Sequence, residues 1–382
     1  MNVMDVVKDI VNLTEEEIRL MDPINIMLIG KTGVGKSTLI NNIFREHLAQ
    51  TGIGKPITTH LQKITKEGVP ITLYDTKGLE LNETVKEEVR KEVRNEIKRL
   101  RSYGEEKNQI HVIWYCINAT GNRMESFEEG WIRELSESIP VVVVLTQSIQ
   151  EENVEELTNY IHSLRLQIKG IVPVLAKSFH VAGHLIPAFG LEELVHVTLG
   201  LIPEGAEKAF INAQKVDVMR KAEYAKKWAK GFITETFMVG FTPVPFADAP
   251  VLASSQVAMI AKITSIFGVS VNKGMITSVV SAAAGVSGAV YTGRTLVSNL
   301  LKFVPGAGTV VGGLISGTTA ALITSALAYA YINVMIKVAT YEYQEKPMDN
   351  NEVAGMMKVE LKKQMELLKS DKSDSSWWKK KK

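Results

Sequence analysis

Nine residues, Gly30-Lys31-Thr32-Gly33-Val34-Gly35-Lys36-Ser37-Thr38, follow directly on the apolar run 24–29 and join a glycine-rich turn to a lysine and two hydroxyls. The spacing is G-x-x-x-x-G-K-[ST], which suits the holding of a nucleoside triphosphate. Its glycines let successive backbone N–H groups turn inward on phosphate oxygens without Cβ clashes. Lys36 reaches the β- and γ-phosphates as a point charge, and Ser37 offers a hydroxyl to Mg²⁺. A helix starting near Thr38 aims its positive end at the same phosphates.

A second group, Asp75-Thr76-Lys77-Gly78, closes the apolar run 70–75. The Asp75 carboxylate suits Mg²⁺ held through water, and the Gly78 N–H suits a γ-phosphate contact that is lost on hydrolysis. Between the two motifs the polar, glycine-containing segment 51–61 reads as a mobile loop, with Thr58 or Thr59 as a further Mg²⁺ ligand. Lys36, Thr58 and Gly78 are thus the candidate catalytic groups, and Ser37, Thr58 and Asp75 the candidate metal ligands.

These groups need a frame that delivers them to one edge. From Asp22 to Pro203 strand-like runs at 24–29, 61–66, 70–75, 109–117, 140–145 and 171–176 alternate with helical stretches at 37–49, 83–102, 125–138, 151–168 and 190–200. The alternation predicts a mostly parallel six-stranded sheet with helices on both faces and ligands at the carboxyl ends of its strands. An antiparallel pair across 61–75, turning at Glu67-Gly68, is the alternative for that segment. The spacing also predicts an amphipathic helix over 3–21. Asp5, Lys8 and Asp9 interrupt its apolar residues, so no signal-peptide core is expected.

The 382 residues carry 44 basic and 42 acidic side chains, a balance without the field of a nucleic-acid binder. The one cysteine, Cys116, suits a reducing cytoplasm. Beyond Pro203 the composition shifts. Residues 205–230 read as one charged helix. No charged side chain occurs in 274–293 or 303–336, and the second stretch exceeds the roughly 20 residues that span a bilayer. Gly308-x-x-x-Gly312 and Gly313-x-x-x-Gly317 allow close helix contact. The chain ends in Trp377-Trp378 and four lysines, a pairing suited to an anionic membrane surface. The expected organisation is an amphipathic helix at 1–22, a nucleotide domain at 23–203, a connecting helix at 204–230, an apolar all-α domain at 231–345 and a charged helical tail at 346–382. A soluble Gly/Ala-rich bundle and a membrane-inserting hairpin are both open for 231–345.

The motifs over about residues 24–200 resemble those of the Era-like branch of small GTPases, the group containing Era, TrmE, EngA, YihA and the septins. The P-loop spelling is also similar to interferon-inducible and immunity-associated GTPases. The resemblance implies a Ras-like fold, GTP and GDP as ligands with Mg²⁺, and Thr58 in Pro56-Ile57-Thr58-Thr59 as the switch threonine. Guanine sites of this kind end a strand in [NT]-K-x-D. Here Thr146 fits, but Gln147 stands for the lysine and Ile149 for the aspartate. Gln147 keeps an aliphatic stem to lie over a purine. Ala176-Lys177-Ser178 fits the last base loop, whose alanine N–H meets the guanine O6. Leu79 stands where Ras-like enzymes carry the water-orienting glutamine, which implies slow hydrolysis with the water placed by another group, a partner or a second copy of the domain. Gly33 replaces the asparagine of potassium-activated relatives. Residues 231–340, including Thr242–Pro250, resemble the apolar YcjF-like domain.

The expected function is a GTP switch with slow Mg²⁺-dependent hydrolysis acting on a membrane-associated apolar domain in the cytoplasm. The alternatives are a nucleotide-holding assembly protein, self-associating through its GTPase domain, and a site of relaxed purine specificity. His180 and His184 read as loop residues. Glu125, Glu128, Glu129 and Glu134 read as a solvated helix face.

Overall fold

A computed structural model describes residues 3–45, 48, 53–77, 79, 82–121, 123–181, 183–237, 249–269, 273–283 and 317–373. The chain divides into two compact units, one of Ile18–Asp217 and one of Met1–Glu17 with Val218–Lys382.

The first unit is an α/β sandwich around a seven-stranded sheet. Its strands are β1 (Ile24–Ile29), β2 (Ile53–Pro56), β3 (Leu61–Lys66), β4 (Val69–Thr76), β5 (Val112–Asn118), β6 (Val141–Thr146) and β7 (Gly170–Val174), in the order β2-β3-β4-β1-β5-β6-β7. β4-β1-β5-β6-β7 are parallel, whereas β2-β3 and β3-β4 are antiparallel. The turn at Gly68, with φ of +74°, makes the antiparallel hairpin over 61–76. The seventh strand is β2. Ile53–Pro56 lies within the segment expected to be a mobile loop, and it pairs with Gln62–Thr65. Its proline sits at the sheet edge, where no ladder N–H is missed.

Helices cover both faces. They are α2 (Lys36–Ile43), α3 (Glu83–Ser102), α4 (Ser126–Ser136), α5 (Glu151–Ser163), α6 (Leu191–Leu199) and α7 (Glu204–Ala213). Alternate strand residues feed two cores. Ile26, Leu28, Val112, Trp114 and Val144 pack with Leu39, Ile43 and Phe210. Met27, Ile29, Ile113, Tyr115 and Val143 pack with Val89, Val93 and Trp131. Burial on both faces explains the near-continuous apolar runs. A small hairpin, β8 (Phe179–Val181) with β9 (His184–Ile186), follows β7.

The second unit is helical and takes in the N-terminus: α1 (Val3–Arg19), α8 (Val218–Phe237), α9 (Ala249–Phe267), α10 (Lys273–Ala283), α11 (Gly317–Tyr343) and α12 (Asn350–Ser373). α1 buries Val6, Val7, Ile10 and Val11, and its Thr14 hydroxyl meets Ala261 O of α9 at 3.3 Å. Glu17 pairs with Lys262. The 24 residues Ala320–Tyr343 of α11 are long and apolar enough to cross a bilayer, yet 61% of their most apolar stretch is buried in the protein. Polar ties fix that packing: Tyr331 OH lies 2.7 Å from Thr264 Oγ1, and Asn333 donates to Glu360 at 2.9 Å.

Residues 205–230, read as one helix, form two, α7 and α8. The break has a long-range cause. α2 stops at Ile43, and Phe44 turns extended to bridge Gln214, with Arg45 N donating to Ala213 O and Lys215 N to Ile43 O. The Gln214 side chain closes the turn on the Asp217 N–H and C=O. Gly78, residues 242–248 of the motif at 242–250, the glycine repeats at 308–317 and residues 377–382 lie outside the described residues, or at their edge at Gly317.

Candidate nucleotide site

β1 ends at Ile29 and the chain turns sharply into α2. A Cβ on Gly30 would stand 2.5 Å from Cys116 O, so only glycine lets the loop pass over β5. Gly35, with φ of +104°, caps α2 without a side-chain bond. The first-turn N–H groups of α2 therefore have no intrahelical partner and form an anion-binding end. Lys36 is buried at the loop mouth, its ammonium held by Gly30 O at 2.5 Å and Lys31 O at 3.0 Å. Val34 anchors the loop in the core, while Thr32, Gly33, Ser37 and Thr38 face outward.

The parallel pairing of β1 and β4 sets Leu28 beside Asp75 and so brings the second motif to the loop. Asp75 Oδ1 lies 4.0 Å from Lys36 Nζ. That buried oxygen has no hydrogen-bond partner among the described residues. Burial holds the Asp75 carboxyl above its usual range, against the pull of Lys36 and Lys77. A desolvated carboxylate oxygen fits a hard cation such as Mg²⁺. Leu79 is buried with Met27, Ile29 and Val89, so it anchors the chain after Asp75 and carries no group for water.

The residues expected to border the base lie at the ends of β6 and β7. Thr146 is buried beneath Gly35 and donates to Ile117 O at 3.1 Å. Gln147 adopts a left-handed backbone, φ +54°, and its amide donates to Gly33 O at 3.2 Å. The glutamine thus ties the loop after β6 to the glycine loop while its stem remains partly exposed. Ser148 binds back to Leu145 O and Val174 O, and Ile149 N to Gln147 O. Ala176 is half-buried against the core and Lys177 is exposed. Ser178 Oγ accepts the Ala188 N–H at 3.1 Å, closing the loop after β7.

Thr58 is partly buried and its hydroxyl donates to Glu92 of α3, whereas Thr59 is exposed. The acidic residues read as a solvated face are instead paired. Glu125 accepts Lys31 at 2.5 Å and Lys86 at 3.1 Å, and these lysines hold its carboxyl below the usual range. Glu128 is buried, Glu129 accepts from Tyr160, and Glu134 accepts from Arg90 and Arg94. α4 faces the basic side of α3, which its own sequence does not reveal. An acidic i,i+3 and i,i+4 pattern opposite Lys86, Arg90 and Arg94 was the available signal. His180 and His184 lie on opposite strands of the β8-β9 hairpin, in adjacent pairs of its register.

Residues 25–147 match the model of the 50S ribosome-binding GTPase family, and residues 208–357 match a domain of unknown function, DUF697. GTPase Era of Aquifex aeolicus is 28% identical over 188 residues, 47% of this chain and 57% of that protein. Cell division control protein 10 of Saccharomyces cerevisiae is 26% identical over 148 residues, covering 32% and 46%. Translocase of chloroplast 126 of Physcomitrium patens is 46% identical over 56 residues, 14% of this chain and 5% of its own length. The chain thus spans 57% or less of the length of each of these relatives. Residues 25–147 are thus similar to the GTPase domain of proteins such as Era, and residues 208–357 to the DUF697 domain.

Proposed function

We propose that the protein binds GTP with Mg²⁺ and hydrolyses it slowly, the nucleotide setting the state of the helical unit. The observation that carries this is the buried, unpartnered Asp75 Oδ1, 4.0 Å from Lys36 at the mouth of the glycine loop. Ser37, Thr58 and Asp75 would hold the metal. Mg²⁺, when bound, neutralises charge on the β- and γ-phosphate oxygens. Lys36 and the first-turn N–H groups of α2 supply positive charge where negative charge develops. Gly78 would read the γ-phosphate. Thr146, Gln147, Ala176 and Lys177 border the base, and Gln147 keeps its loop in register with Gly33. The absence of a carboxylate at Ile149 favours a looser grip on guanine.

Buried Leu79 orients no water, which supports slow turnover. The same observation favours a second reading, an assembly protein that holds nucleotide almost statically and self-associates through its GTPase domain. A cytoplasmic protein meeting a membrane surface through its apolar unit and lysine-rich end completes the proposal. Labelled GTP binding with Lys36→Ala as control tests the core: binding that survives the substitution rejects it. Turnover that climbs with protein or vesicle concentration supports the switch, and none under any condition supports assembly. A GTP analogue, against GDP, is expected to change vesicle co-sedimentation or protease cleavage within 231–340.

A further inference from the structure

The hydroxyl that the proposed switch requires is already engaged. Thr58 Oγ1 donates to Glu92 Oε2 and accepts the Leu61 N–H at 3.1 Å. The same carboxylate oxygen takes the His60 N–H at 3.2 Å, and His60 Nδ1 lies 3.3 Å from the other oxygen. Ile57 N and Thr58 N both donate to Leu61 O, at 2.8 and 3.2 Å. Residues 57–61, at the end of the stretch expected to be mobile, therefore form a closed turn pinned at its threonine by one carboxylate.

Glu92 is well placed to do this. It sits on α3, and its neighbours Val89 and Val93 are fully buried in the core. Its side chain is only 22% exposed. α3 also begins soon after the Asp75–Gly78 motif, so the helix downstream of one switch grips the threonine of the other. A hydroxyl donating to an ionised acceptor makes a hydrogen bond about twice as strong as a neutral one. The Thr58 hydroxyl thus donates its hydrogen to Glu92 and accepts the Leu61 N–H.

We propose that Glu92 is a positioning residue that withholds Thr58 from Mg²⁺ and so sets the preference between triphosphate and diphosphate. The proposal rests on the GTPase reading above. Diphosphate needs no threonine ligand and leaves the Glu92 contact intact. Triphosphate binding has to break it, so triphosphate affinity carries its cost.

Affinities for fluorescent GDP and for a fluorescent non-hydrolysable GTP analogue, in excess Mg²⁺, test this in the full chain. Glu92→Ala is expected to raise the triphosphate-to-diphosphate affinity ratio about tenfold, with GDP affinity unchanged as the sign of an intact fold. Glu92→Gln, which keeps an oxygen acceptor but not the charge, should lie between. Thr58→Ala should cancel the effect, so that the Glu92→Ala/Thr58→Ala chain matches Thr58→Ala alone. An unchanged ratio in Glu92→Ala, or a rise that persists without Thr58, overturns the proposal. If Glu92→Ala loses GDP, the Glu92→Gln ratio decides in the same way. Wild-type binding that is absent or indifferent to Lys36→Ala would instead sink the GTPase reading itself.

Discussion

Glu125 is the residue whose removal best tests the tie between the phosphate loop and α3. Its carboxylate joins Lys31 Nζ at 2.5 Å to Lys86 Nζ at 3.1 Å, and it starts α4 in a capping box with Glu128. Glu125→Ala deletes all three contributions. Lys31 and Glu125 are 31% and 33% exposed, so solvent screening limits their pair to about 0.5 kcal/mol. Lys86 is only 11% exposed but keeps Glu83 at 2.8 Å. Its loss stays well below the cost of an orphaned buried ion, at about 1 kcal/mol. The cap adds about 1 kcal/mol. The expected destabilisation is therefore about 2–3 kcal/mol, against about 1 kcal/mol for Glu125→Gln, which keeps an oxygen at the cap.

The pH dependence has a definite sign. Lys31 and then Lys86 hold the Glu125 carboxyl below 4.5, so the native state binds this proton less readily than the unfolded chain. The contribution is full above the unfolded value and disappears as pH falls through the folded one. Urea unfolding followed by tryptophan emission, with Trp114 and Trp131 buried in this unit, measures it. The gap between wild type and Glu125→Gln should hold steady at neutral pH and narrow as pH falls below the usual glutamate range. A Glu125→Ala loss under about 0.5 kcal/mol, the level of an exposed pair, or a gap independent of pH, refutes the reasoning.

Asp75→Asn should lower Mg²⁺-dependent triphosphate affinity about 10–100-fold by calorimetry. Its raised carboxyl pKa contributes stability below the unfolded value and loses it as pH rises through the folded one, so the neutral amide should not lower the unfolding midpoint at neutral pH. Weaker folding with unchanged binding would contradict this. Phe44→Ala removes a ring with centroids 5.8 Å from Trp114 and 6.1 Å from Phe210, and should cost about 3–5 kcal/mol in urea; less than about 1 kcal/mol would mean the cluster is not close-packed. Burial pushes the Cys116 thiol up to about 12, so iodoacetamide should label it only as the unit unfolds. Fast labelling without urea contradicts that burial.

The glycine turn between β1 and α2, the strand that Asp75 closes and the alternation of strands and helices were legible in the sequence because each is a local pattern. Glycine spacing, an apolar run and the residues that close it lie within a few positions of one another. α3 was read at its observed bounds, 83–102, since its apolar residues recur every three or four positions for five turns. β2 was not legible: Ile53-Gly54-Lys55-Pro56 has no strand-like alternation and becomes a strand by pairing with β3. The break between α7 and α8 depends on Phe44, 170 positions before Gln214. α1 carries an amphipathic face, but only the fold selects α9, 247 residues away, as what it meets. The pairs Lys31–Glu125, Thr58–Glu92 and Gln147–Gly33 follow the same rule. A charged or polar side chain declares its chemistry from its type, whereas its partner is decided by which elements the core brings side by side, and that choice is made by packing over the whole unit.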